Sequence, residues 1–301
     1  MAPVAHTAHD ASHQRAILAL HGAVALFAFA GLFGKWIALS PVLIVLGRTV
    51  VAAVALALIR RQVQRFRRPL NLRLLANGAV LALHWVAFFA AIQVSTVAIG
   101  LLGYASFPLF TLVLEGVMLR ARWQMRDVLT SALVVGGLVL VVPHWSWDDR
   151  AVQGLGLGLV SAFTFALLAV MNRRHAATRP ALEIALWQNA AAALCLLPFS
   201  WTALAAASPS GRDWILLIVL GLFCTALAHT LFIASLRAVR AHVASVVGAL
   251  EPVYGMLLAW LLLAEVPTAR MWAGAALLVA AAMSVARAPS LRGVQTLTPP
   301  M

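Results

Sequence analysis

Ten stretches of about twenty apolar residues follow one another along this chain, at about 16–34, 41–59, 74–94, 97–119, 125–143, 154–172, 181–200, 214–235, 241–264 and 271–287. A helix needs roughly 20 mostly apolar residues to cross the ~30 Å hydrocarbon core of a bilayer. Each stretch is therefore long enough to span a membrane, and together they leave only short connections, with no room for a sizeable soluble domain. Charge is scarce to match. Only 10% of the 301 residues are charged and 63% are hydrophobic, against about 25% charged in soluble domains. The pattern predicts an all-α membrane protein with ten transmembrane helices.

The few charges are lopsided, with 22 basic residues against 9 acidic. A basic excess of this kind raises the question of nucleic acid, but a basic groove needs a soluble fold to carry it. Orientation explains the excess better. With the N-terminus cytoplasmic, alternate connections hold Arg15; Arg60, Arg61, Arg65, Arg67, Arg68 and Arg73; Arg120, Arg122 and Arg126; Arg173, Arg174 and Arg179; Arg237 and Arg240; and Arg287 and Arg292. Those are 17 basic residues, while the opposite side has four, Lys35, Arg150, Arg212 and Arg270. Basic residues mark the cytoplasmic side, so both termini are expected in the cytoplasm of a multi-pass plasma (inner) membrane protein. Trp36, Trp145, Trp147, Trp201, Trp214 and Trp272 fall at the outer span ends, where an aromatic belt sits.

A displacement of 144 residues brings Phe88, Pro108 and Arg126 onto Phe232, Pro252 and Arg270, together with several leucines and alanines. The fourth span then matches the ninth, and the chain divides into five plus five. Five is odd, so the second copy enters the membrane in the opposite sense. Inverted-topology repeats of this kind are a mark of secondary transporters, with the substrate site near the midplane between them. The expected organisation is a cytoplasmic tail over 1–15, a first five-helix repeat over 16–143, an external linker over 144–153, a second repeat over 154–287 and a cytoplasmic tail over 288–301. The polar leader with His6, His9 and His13 does not resemble a cleaved signal peptide and reads as a disordered tail or a metal-binding one.

The run Ala249-Leu250-Glu251-Pro252-Val253-Tyr254, followed by Leu261-Leu262-Leu263-Ala264-Glu265 and Gly274-Ala275-Ala276-Leu277, resembles the ninth and tenth helices of the EamA-type transporters of the drug/metabolite transporter superfamily. Ala105-Ser106-Phe107-Pro108-Leu109-Phe110 and Arg48 in the second span add to the likeness. It extends from about residue 16 to 287 and is strongest toward the YddG-like amino-acid exporters. One departure is that Glu265 has Ala121 as its repeat partner, where many relatives carry an acid in both copies. The resemblance implies a central cavity built mainly by the third, fourth, eighth and ninth spans, with contributions from the first and sixth.

Polar groups left inside the membrane are functional candidates by default. His84 with Trp85, and His229, stand mid-span; each histidine is either a site residue or a structural one bonded to a carbonyl. Tyr104 and Tyr254, the only tyrosines of the chain, lie within a turn of Pro108 and Pro252. Those prolines each free a carbonyl four residues back and mark either a packing kink or a hinge. Phe107 and Phe232 complete the aromatic set. Trp187, beside Gln188 and Asn189, belongs either to a cavity wall or to an interhelical hydrogen bond. Glu251 is a candidate proton carrier, cation ligand or ion-pair member, and Arg48 its candidate partner or a site for a substrate carboxylate. Glu115 is expected to pair at the interface with Arg120 and Arg122.

No GxSxG, HExxH, Walker or GxGxxG signature occurs, so no enzyme, cofactor or nucleotide-driven pump is expected. Cys195 and Cys224 lie far apart in apolar runs and imply neither a disulfide nor a metal pair. Gly154 and Gly158 form a small-residue face for close helix packing. The expected function is export of amino acids or related small metabolites by alternating access, in a monomer whose partners are the substrate and the bilayer. The alternatives are an exporter of drugs or cationic compounds, a membrane-embedded enzyme using His84 or His229 as a base, and a non-transporting scaffold.

Overall fold

The computed structural model describes residues 3–63, 72–141 and 149–286. Arg65, Arg67, Arg68, Arg287, Arg292, Trp145, Trp147, the first half of the expected linker and the tail 288–301 lie outside them, as do the side chains of His6 and His9. Among the described residues thirteen α-helices succeed one another: α1 Pro3–Trp36, α2 Pro41–Val63, α3 Leu72–Val94, α4 Val97–Tyr104, α5 Phe107–Leu119, α6 Met125–Val141, α7 Arg150–Ala176, α8 Ala181–Ala206, α9 Gly211–Gly221, α10 Ala228–Ser235, α11 Ala241–Gly248, α12 Glu251–Leu263 and α13 Ala269–Ala286. A six-residue π-helical turn, Leu222–Leu227, joins α9 to α10. No strand occurs among the described residues.

Eight helical stretches among the described residues are long and apolar enough to cross a membrane: 13–36, 41–62, 72–94, 97–119, 150–176, 181–206, 211–235 and 241–263. The other two expected spans correspond to α6 and α13, which are shorter at 17 and 18 residues and pack on each other. The leader is helical from Pro3 rather than irregular, since its alanine-rich sequence continues the first span without a breaker. Large apolar side chains face outward around the bundle; Phe199 is 72% exposed and Leu261 74%. In water that surface would be untenable, whereas lipid solvates it.

The two mid-span prolines do more than kink their helices. In each case the stretch breaks into two, at Tyr104/Phe107 and at Gly248/Glu251, and the proline falls in the first turn of the new helix, where its missing N–H costs nothing. The element boundaries repeat at the 144-residue displacement: α4 and α5 onto α11 and α12, residue for residue. Even the two left-handed caps coincide, at Arg120 (φ 53°) and Ala264 (φ 56°).

α3 packs most heavily on α7, and α2 on α8. Glycines permit close crossings. A Cβ on Gly158 would lie 2.9 Å from Gly103 Cα and 3.1 Å from the Gly100 carbonyl oxygen, contacts with backbone that cannot swing aside. Gly158→Leu is therefore expected to destabilise the fold by about 3 kcal/mol through overpacking. Gly156 has nothing within 4 Å of its added Cβ, and Gly156→Leu serves as a control expected within about 0.5 kcal/mol. Thermal unfolding in detergent compares the two; equal melting temperatures would remove the packing argument.

Candidate functional site

A small cavity of about 20 Å³ lies among buried side chains within the bundle, room for about one water molecule. Its walls come from α1 (Phe27, Ala30), α2 (Arg48), α3 (His84, Trp85, Phe88), α4 (Tyr104), α7 (Phe165) and α12 (Glu251). Every one of these helices is apolar in sequence, so the two charged groups stand out against an aromatic box.

Arg48 is the largest of the fully buried side chains, 1% exposed. Its Nε donates to Thr225 Oγ1 at 2.8 Å and its Nη2 to the Cys224 carbonyl at 3.0 Å, with the guanidinium carbon 3.9 Å from the centroid of the Trp85 ring. The π-helical turn makes this possible. Widening the helix shifts the carbonyl register, so the Cys224 oxygen is available to Arg48 while Thr225 Oγ1 reaches back to the Leu220 oxygen at 2.8 Å. Single π turns of this sort gather at functional sites. Nη1 has no hydrogen-bond partner among the described residues. Glu251 opens α12 just after the chain break and is 2% exposed. Among the described residues no ion pair within 4.0 Å joins it to Arg48: both line the one cavity without closing on each other.

The ring of His84 is fixed from behind. Nδ1 lies 2.9 Å from both the carbonyl and the hydroxyl oxygen of Ser161, which together hold the ring. The imidazole lies 4.8 Å from Phe165 and 5.5 Å from Tyr104, centroid to centroid, and Tyr104 stacks on Phe107 at 4.9 Å. Phe107 and Phe232 stand one layer back, Phe232 against Phe165 at 5.1 Å and Phe27 at 6.0 Å. His229 is also behind the wall, edge-on to Trp85 at 5.7 Å with Nε2 3.0 Å from Gln188 Oε1. Pro108 and Pro252 are buried at the two helix breaks.

Trp187 and Tyr254 are not brought to this site. Trp187 packs beside Ala52, Leu56 and Ile233, with the Arg60 guanidinium 5.7 Å over its ring. Tyr254 is 36% exposed, because the buried stripe of α12 runs through 251, 252, 255, 256 and 259 and passes it by. Phe27 and Phe165 had no signal beyond apolar sequence, and Phe88 was marked only by its repeat match to Phe232. The eighth stretch contributes through its π turn rather than as cavity wall.

Each end of the bundle is tied by a carboxylate on a helix N-terminus. At one end Glu115 accepts from Ala241 N at 2.9 Å and lies 3.5 Å from Arg240 Nη2 and 4.0 Å from Arg173 Nε. These arginines, and not Arg120 or Arg122, are its partners. Asp127 extends the cluster to Arg240 at 3.2 Å and His242 at 3.7 Å. At the other end Glu265 accepts from Val97 N at 3.1 Å. Val97 and Ala241 are themselves equivalent at the 144-residue displacement, so each half of the chain holds the other by the same device at opposite ends. Both ties are made in this structure. Among the described residues no cluster suits a metal ion, and Cys195 and Cys224 are unpaired.

Long apolar helices, a lipid-compatible exterior and an Arg48–Glu251 chamber inside the bundle define a multi-pass membrane protein with an internal polar site. The chain belongs to the EamA-like transporter family, whose profile matches residues 14–142 and again 152–287. It is similar to the pseudopaline exporter CntI of Pseudomonas aeruginosa, in strains UCBPP-PA14 and PAO1 alike, at 26% identity over 215 residues, 71% of this chain and 74% of the exporter. A solved crystal structure superposes with a TM-score of 0.72 at 19% identity, covering 90% of this chain and 98% of that one. That likeness bears on the fold alone.

Proposed function

We propose that the protein is a secondary transporter that exports amino acids or related small metabolites across the inner membrane by alternating access. The observation that carries this reading is the pair of unlike charges, Arg48 and Glu251, on one aromatic-lined cavity without an ion pair between them. A zwitterion satisfies both: its carboxylate meets the guanidinium, its ammonium meets Glu251, and its side chain meets the rings of Trp85, Phe88, Tyr104 and Phe165. A phosphate or a divalent metal suits this lining poorly.

The room available, about 20 Å³, is far below that of a ligand pocket, roughly 300 Å³ or more. Loading a solute of that size therefore requires the cavity to widen. We take α6 and α13 as the fifth and tenth spans, giving ten helices in two inverted five-helix repeats acting as a monomer. The repeated breaks at Pro108 and Pro252 support hinge bending, and the two carboxylate ties support gates at opposite faces. The 17-to-4 split of basic residues supports cytoplasmic termini. The similarity to exporters, the CntI proteins, supports the outward direction.

Purified protein in liposomes loaded with labelled amino acids tests the proposal. Efflux above that of protein-free liposomes is expected for at least one of the twenty; none above background would sink it. A pH gradient across the same liposomes separates proton coupling, in which the rate changes with the gradient, from facilitated export, in which it does not. In that assay His84→Ala and Tyr104→Ala are each expected to lower efflux about tenfold, the worth of one buried contact, with expression unchanged. Wild-type rates in both would assign the two side chains to packing.

A further inference from the structure

Buried polar atoms without a hydrogen-bond partner are rare in folded proteins, and each calls for an explanation. Here they are concentrated. Of eight such atoms among the described residues, six lie on α3, α7, α8 and α10: both amide atoms of Asn77, Asn172 Nδ2, Glu183 Oε2, Asn189 Oδ1 and His229 Nδ1. Three of the side chains, His229, Gln188 and Asn172, are linked in a row, and the others lie on the same helices. This seam starts at the cavity, where His229 meets the edge of Trp85. From there His229 Nε2 reaches Gln188 Oε1 at 3.0 Å, and Gln188 donates to Asn172 Oδ1. The antiparallel register of α3 and α7, which sets Gly154 beside Ala91 and His84 beside Ser161, puts Asn77 level with Leu168, one turn from Asn172. Gly78 brings α3 against the Gln188 carbonyl. Glu183 stands at one end, in the first turn of α8, ion-paired with Arg179. This is the end of the bundle that carries Arg173, Arg174 and Arg237.

A sealed hydrophobic core has no use for such groups, since an apolar side chain of the same shape removes the penalty of an unmet donor or acceptor. They gain partners if the seam parts. We propose that Asn77, Asn172, Gln188, Asn189 and His229 form a second, uncharged polar binding site on the cytoplasmic side of the cavity, which receives the substrate's polar head group before it reaches Arg48 and Glu251. The site offers amide and imidazole donors and acceptors and no full charge along its length. It therefore takes zwitterionic or neutral polar solutes by hydrogen bonds and leaves discrimination of charge to the cavity. The proposal rests on the transport reading for its direction, and its test is separable from that reading.

The test uses the full chain in oriented liposomes, in a Cys195→Ser background whose remaining Cys224 sets the background reaction. Asn77→Cys and Asn172→Cys are treated from either side with a membrane-impermeant thiol reagent. The expected result is labelling from the cytoplasmic side alone, about tenfold or more above background, the ratio that marks a populated open state. Labelling no faster than background from both sides, or labelling from the outer side only, overturns the proposal. Efflux measured in the same liposomes keeps the two readings apart: export without labelling leaves the transporter and removes the seam, and labelling without amino-acid export leaves an access site for another polar solute. Asn77→Leu gives an independent readout that does not need cysteine chemistry. A higher melting temperature with KM for the internal substrate raised about tenfold, one lost hydrogen bond, is expected. A higher melting temperature with unchanged KM overturns the proposal.

Discussion

Arg48→Met is expected to lower export by between about 30-fold and a few thousand-fold, the range for removing one member of a buried charge-assisted contact, about 2–5 kcal/mol. Two losses combine. The substrate loses the only guanidinium on the cavity wall, and the π turn loses the donors that satisfy Cys224 O and Thr225 Oγ1. Two further variants separate the losses. Arg48→Lys keeps the charge but lacks the planar fork and the stacking surface over Trp85, so intermediate rates are expected. Thr225→Val keeps the guanidinium and removes only one anchor, and a loss of tenfold or less is expected, the worth of a single hydrogen bond. Efflux from liposomes and melting temperature in detergent, measured together, distinguish a damaged site from a damaged fold. Wild-type efflux in Arg48→Met would confine the arginine to structure.

Glu115→Ala is expected to cost about 3–5 kcal/mol at one end of the bundle, the measured range for breaking a buried ion pair. Glu115 is 2% exposed, and its removal leaves Arg173 and Arg240 facing each other and Ala241 N without an acceptor. This tie holds α5 against α11, so the penalty falls on the closed arrangement of that end. A bias of 3 kcal/mol shifts an open–closed equilibrium roughly 150-fold. Accelerated cytoplasmic-side labelling of Asn172→Cys in the Glu115→Ala background reads the shift directly. Glu265→Ala at the opposite end removes a single, half-buried hydrogen bond to Val97 N, and an effect near 1 kcal/mol is expected. Equal effects of the two variants would contradict the asymmetry of the gates.

Much of the fold was legible in the residues. Apolar runs of span length predict the long helices, and the displacement that aligns Pro108 with Pro252 also aligns the observed helix boundaries. The prolines marked two sites of interruption, read as either a kink or a hinge, and a full break with proline in the new first turn is found. The candidate site was legible where a polar group stands in an apolar run, as at Arg48, His84, Tyr104 and Glu251. It was illegible where nothing polar marks the position. Phe27 and Phe165 are ordinary core residues by sequence, and no local signal announces a π turn at Leu222–Leu227. Tyr254 misled by rarity, since a residue type says nothing about which side of its helix faces inward. Glu115 misled by proximity: its charged partners come from 58 and 125 residues away along the chain, and interhelical pairing of that kind leaves no trace in spacing.

The most direct measurement of the central claim, that Arg48 and Glu251 together hold a zwitterion, is competition in liposome efflux by three forms of the same exported amino acid. The free form carries both charges, the amide lacks the carboxylate, and the N-acetyl form lacks the ammonium. Competition by the free form alone is predicted, with each blocked form weakened by about 30-fold or more, the cost of leaving a buried charge unpaired. Competition by the amide as strong as by the free amino acid would contradict the account and assign the cavity to cationic compounds held by Glu251.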